Sequence, residues 1–147
     1  MIFNIAVGFI LPWIVVAYLL RKQKKFIILF YPISALISFF INDIGFVYFW
    51  ELHQFNATAL PALPYNLGLF PLLGCLFIFV IHIKRLSLPI TLLLFVFFTT
   101  IAEFFMVFIG KIIYKNGWNI AWTFLSYLFA YGIVYLYYKI SYKLMSG

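Results

Sequence analysis

Residues 89–110 read PITLLLFVFFTTIAEFFMVFIG, and Glu103 is the only charged residue in the run. At ~1.5 Å per residue the run spans the ~30 Å hydrocarbon core of a bilayer as one helix. Its apolar residues are continuous instead of alternating with period two, so a membrane strand is a poor reading. On a helix advancing ~100° per residue, Thr99, Thr100, Glu103, Val107 and Gly110 share one face. Leu94, Phe97, Phe98, Ile101, Phe105 and Phe108 fall opposite. The aromatic face suits lipid, and the Thr/Glu/Gly face suits protein neighbours or water. An ionised acid at mid-bilayer costs roughly 2.5–3.5 kcal/mol on insertion scales, so Glu103 marks a buried polar site.

The rest of the chain repeats this pattern. Its 147 residues are 67% hydrophobic and 9% charged, with a mean hydropathy of +1.14. Too little polar surface exists to cover a soluble core, and a backbone in lipid must satisfy its own hydrogen bonds. The expectation is an all-α polytopic membrane protein, one transmembrane domain over 1–147 with five spans at roughly 2–20, 26–50, 65–83, 89–110 and 120–138. Arg21, Lys22, Lys24 and Lys25 end the first span, and Pro61 and Pro64 mark the loop before the third. Ser87 before Pro89 starts the fourth, and Asn116-Gly117 is a turn before the fifth. No basic region or small-residue cleavage site precedes Arg21, which argues against a cleaved signal peptide.

Of ten Lys and Arg residues, eight fall in the first loop, the third loop and the C-terminal tail. The positive-inside rule then places the N-terminus outside and the C-terminus in the cytoplasm. The net charge of +7 is spent at helix ends and headgroups, and no nucleic-acid-binding motif is present. In this orientation Asp43 and Glu103 lie roughly 25 and 21 Å from the cytoplasmic ends of their helices, both in the outer half of the membrane. Asn42, Glu51, His53, Asn66, Tyr114, Asn116, Trp118, Asn119 and Thr123 concentrate on the same side. A site there opens outward.

The second span carries a stripe of Ser34, Ser38, Asn42 and Gly45, with Asp43 more than a quarter turn away. Asp43 either faces another neighbour or is brought round by distortion at Pro32 and Gly45. The fifth span places Asn119, Thr123, Ser126, Ala130 and Tyr137 on one face, and Ser126-x-x-x-Ala130 permits close helix approach. Glu103 is thus the central candidate ligand-binding residue, with Asp43, Asn42, Asn119 and Thr123 in support, and the expected ligand is a cation, a proton or a polar envelope or lipid headgroup. The competing reading makes these groups helix locks: a buried acid, neutral or hydrogen-bonded, holding spans together.

Other chemistry-bearing residues read as structural. Trp50, Trp118 and Trp122 suit interfacial anchoring, and His82 beside Lys84 and Arg85 suits a cytoplasmic interface. His53 falls in a loop, and neither His has a partner at metal-ligand spacing. Cys75 is a lone packing thiol, so no disulfide or cysteine metal cluster is expected. Asn56-Ala57-Thr58 matches the glycosylation sequon. No nucleophile motif, phosphate loop or dinucleotide fingerprint occurs, and catalytic residues, metals and cofactors are not expected. Five spans without an internal repeat fit a transporter only as a homo-oligomer or beside a partner membrane subunit.

Three stretches carry a resemblance: Ile41-Asn42-Asp43-Ile44-Gly45-Phe46 with Trp50-Glu51, then Leu63-Pro64-Tyr65-Asn66-Leu67-Gly68-Leu69-Phe70-Pro71, then Asn116-Gly117-Trp118-Asn119 with Trp122-Thr123. Together they resemble a family of small five-helix membrane proteins of spore-forming Gram-positive bacteria whose function is unassigned. The resemblance implies a bacterial cytoplasmic membrane and five spans, and it supplies no activity. The run Asn66 to Gly74 is also faintly similar to the Asn/Pro/Gly pattern of VanZ-like glycopeptide-resistance proteins.

Overall fold

The computed structural model describes residues 2–52 and 60–146; His53 and the sequon at Asn56 lie outside them. Five helices are each long and apolar enough to cross a membrane: α1 (Ile2–Leu19), α2 (Lys24–Tyr48), α3 (Leu60–Ile83), α4 (Leu88–Phe108) and α5 (Ile120–Ser146). The expected faces of α4 are seen, with Thr99 and Thr100 buried and Phe97, Phe98, Ile101, Phe105 and Phe108 exposed. On α2, Ser34, Ser38 and Gly45 are buried and Asp43 is exposed, so Pro32 does not rotate the acid inward.

Several boundaries differ from the sequence reading for local reasons. Helix α2 stops at Tyr48 because Trp50–Leu52 (β1) pairs antiparallel with Ile112–Tyr114 (β2), Trp50 opposite Tyr114. Helix α3 begins at Leu60, taking Pro61 and Pro64 into its first turns, where a missing N–H costs no helical bond. Helix α4 ends at Phe108, two residues before Gly110, whose φ of +70° sets a left-handed cap. There Lys111 N–H reaches Met106 O at 2.8 Å and Gly110 N–H reaches Val107 O at 2.9 Å, the paired bonds of a Schellman motif. The Asn116-Gly117 turn is present, with positive φ at both residues and Trp118 N–H closing on Lys115 O at 2.9 Å.

Helix α3 is the centre of the bundle and packs against all four other helices. Its Leu72, Cys75, Phe77 and Ile78 are fully buried, and the Cys75 thiol is free. Two wide turns bring α1 against α3. Leu11 N–H bonds Ala6 O and Phe70 N–H bonds Tyr65 O, each five residues back in place of four. Prolines explain both. Pro12 cannot serve Gly8 O, and Pro71 cannot serve Leu67 O. The orphaned Leu67 carbonyl instead accepts Tyr31 Oη–H at 2.7 Å and Trp13 Nε1–H at 3.2 Å. The Gly8 carbonyl lies against Gly68, where any Cβ would collide with it and come within 2.7 Å of Phe9 Cα.

Candidate functional site

Glu103 sits half-buried in the last turns of α4, and its carboxyl is held by hydroxyls from two other elements. Tyr114 of β2 donates to Oε1 at 2.7 Å, Thr123 of α5 donates to Oε1 at 3.0 Å, and Tyr127 of α5 donates to Oε2 at 2.6 Å. Thr123, 1% exposed, also accepts Trp118 Nε1–H at 2.9 Å and lies 2.8 Å from the Tyr114 oxygen. An ionised carboxylate has about four lone-pair positions, so these three hydroxyls leave one unused. Tyr114 lies outside the spans; burial, then the neighbouring Glu103 charge, raises its hydroxyl well above the usual tyrosine range.

A second polar group lies between α2 and α3. Asn66, 1% exposed, accepts Ser38 Oγ–H at 2.7 Å and the Asn42 amide N–H through one carboxamide oxygen. Asn66 enters the core because the wide turn Tyr65–Leu69 shifts the helical register next to it.

Two cavities meet between these groups. The larger, about 560 Å³, lies among α1, α2, α3, α4 and β1 and falls within the usual size range of small-molecule sites. Phe46, Leu69, Leu73, Phe98 and Met106 make most of its wall apolar. Phe3, Phe98, Ala102 and Phe105, all exposed, stand at its edge. The smaller, about 60 Å³, lies among α2, α3 and α5 beside Ser34, Ser38 and Ser126. Asn42, Trp50, Phe70, Glu103 and Tyr127 line both. Among the described residues lining either cavity, Glu103 is the only Asp, Glu, Lys, Arg or His. The buried Ser34 hydroxyl in the small cavity and the Tyr65 hydroxyl beside the large one have no hydrogen-bond partner.

The expected site residues are therefore distributed unevenly. Glu103 and Thr123 are hydrogen-bonded to each other, and Asn42 lines the same two cavities as Glu103. Asn119 is exposed and caps α5, its Oδ1 accepting Ala121 N–H at 2.9 Å and Trp122 N–H at 3.4 Å. Asp43 is exposed, lines neither described cavity and makes no hydrogen bond or ion pair among the described residues. Glu51 pairs with Lys115 across the β1–β2 end of the molecule. Trp50 is 8% exposed, its indole laid over Gly45 and 5.1 Å from the Trp118 ring, so it packs inside where an anchor was expected. His82 bonds the Tyr138 hydroxyl at 2.9 Å, and no group of metal-binding side chains occurs among the described residues.

Sequence reasoning missed Tyr127 and Tyr131, which face inward beside Thr123 on α5. Their signal was available: Tyr127 follows Thr123 by four residues and Tyr131 follows Tyr127 by four, one face of a helix. Comparison with protein-family models, curated proteins and solved structures gives no match to this chain.

Proposed function

We propose that this chain is a multi-pass protein of the cell membrane, N-terminus outside and C-terminus cytoplasmic, that binds the polar head of a membrane amphiphile at Glu103. The observation that carries the reading is the position of one carboxyl at the junction of an apolar cavity of about 560 Å³ and a small hydroxyl-lined one. An apolar body fits the first and a polar head the second, with Asn42 and Tyr127 beside the acid. The exposed rim is aromatic and apolar, so entry from the bilayer between α1 and α4 is the natural path. The orientation is supported by the basic residues: Phe26, His82 and Tyr142 are in ring contact, which gathers the lysine-rich ends of α2, α3 and α5 together, away from β1–β2.

Native mass spectrometry from mild detergent tests the binding. The parent should retain a lipid-sized adduct, and Ala102→Trp, which narrows the mouth, should lose it. For orientation, Asn116→Cys in a Cys75→Ala background should react with an impermeant thiol reagent added outside intact cells. Protection there, with labelling only after lysis, reverses the topology.

A second reading has its own observation. Glu103 already accepts three hydroxyls from β2 and α5, enough to act as a helix lock in a structural or partner-binding subunit. Equal adducts, or none, in parent and Ala102→Trp would favour it.

A further inference from the structure

Resting on the cavity reading above, we propose that the occupant is an apolar-tailed organic ammonium: a primary or quaternary amine head seated at Glu103, with its tail in the larger cavity. Charge decides the class of head. Among the described residues no Lys, Arg or His lines either cavity, so a phosphate or sulfate would sit beside a carboxylate with no counter-charge. An ammonium head meets the reverse situation. Among the described lining residues Glu103 is the only charge it faces, and one carboxylate lone-pair position stays open after Tyr114, Thr123 and Tyr127 are counted.

The rings around the acid supply the second half of the recognition. Trp50, Phe70 and Tyr127 flank Glu103 on the wall common to both cavities, and the Phe70 and Tyr127 centroids are 6.1 Å apart. Aromatic faces attract cations through their quadrupole, most strongly for desolvated ammonium groups. A carboxylate beside indole, phenyl and phenol rings makes a cation-favouring wall. Asn42 offers a carboxamide at the same place for a primary amine's N–H. The tail requirement comes from the larger cavity, whose remaining lining is almost wholly apolar.

The experiment is equilibrium binding of radiolabelled tetradecyltrimethylammonium to the full chain in nanodiscs of zwitterionic lipid, with empty nanodiscs subtracted. The expected result is a saturable component. Tetradecylamine should compete for it, and tetradecyl sulfate should compete at least tenfold more weakly. Tetramethylammonium, the head without the tail, should compete at least a hundredfold more weakly. Glu103→Gln, with its melting temperature recorded alongside, should weaken binding at least tenfold. The competition arms need only the parent, so a poorly folding variant does not blunt the test. Equal competition by the sulfate, or by a neutral tetradecyl maltoside, overturns the ammonium head and leaves the amphiphile cavity standing. Equal competition by tetramethylammonium moves the site to small free cations. If no saturable component appears for any tetradecyl probe, the cavity reading itself fails.

Discussion

The Tyr127 hydroxyl of α5 donates to Glu103 Oε2 of α4 across 2.6 Å, on the wall that the two cavities share. One contact thus ties two helices together and shapes the floor of the site. Interhelical hydrogen bonds in membrane proteins average about 0.6 kcal/mol and reach ~1.7 kcal/mol. We expect Tyr127→Phe to lower stability within that range while Glu103→Ala, which strands three hydroxyls at once, costs more. Thermal unfolding in micelles checks the order. A larger loss from Tyr127→Phe would mean that its ring packing, not its hydroxyl, is what matters.

The sequence reading set Asp43 in support of Glu103, and of the two only Glu103 lines the cavities. Asp43→Asn should leave both the melting temperature and ammonium binding within twofold of the parent. Glu103→Gln should not. A loss of binding in Asp43→Asn would place the exposed acid in the site after all.

Backbone satisfaction predicts a rescue. Leu67 O depends on Tyr31 and Trp13 because Pro71 has no N–H to offer. Tyr31→Phe should therefore destabilise the protein, by ~1 kcal/mol if the bond behaves as an ordinary one. Pro71→Ala supplies a donor near the same carbonyl, so the double variant should lose less than the two single losses summed. Strict additivity in unfolding experiments would show that the α3 backbone does not use the new N–H.

Glycines separate close contact from open space. At Gly68 an added methyl meets the backbone of Gly8 and Phe9, which cannot move aside as a side-chain end could. Gly68→Ala should strongly reduce the amount of folded protein in membranes. Gly132, on α5, has nothing within 4 Å of an added Cβ. Gly132→Ala should be neutral or stabilise by up to ~1 kcal/mol through helix propensity. Parallel expression and melting of the two variants is the check.

Tyr114 predicts a pH effect of definite sign. Burial and the Glu103 charge raise its hydroxyl above the ordinary value of 10.0. Its stabilising contribution is full below that ordinary value and is lost as pH rises through the folded one. Tyr114→Phe should then lose stability less steeply than the parent above pH 10. Parallel curves for the two proteins would remove Tyr114 from the alkaline transition.

Much of this arrangement was legible in residue order, because length, periodicity and special backbone residues act locally. The Thr/Glu face of α4 and the serine stripe of α2 follow from a 3.6-residue repeat, and Asn116-Gly117 accepts positive φ with little strain. The β1–β2 pair was not legible, since two three-residue strands carry no periodic signal and pair across 59 intervening positions. The four-residue step from Thr123 to Tyr127 was masked by composition. With 11 Tyr and 20 Phe in the chain, one ring with a hydroxyl looks like any other lipid-facing aromatic until its neighbour is known.

By itself the sequence determined five apolar helices, their turns, and a single acid on a polar helix face, because these depend on hydrophobic length and angular spacing within one segment. Only the tertiary structure decided which acid lines the cavities. Glu103 meets Tyr114, Thr123 and Tyr127 through packing of α4 against β2 and α5, while Asp43, one residue from Asn42, is turned away. A step of ~100° along a helix separates those neighbours, and which side becomes the interior is settled by the other helices.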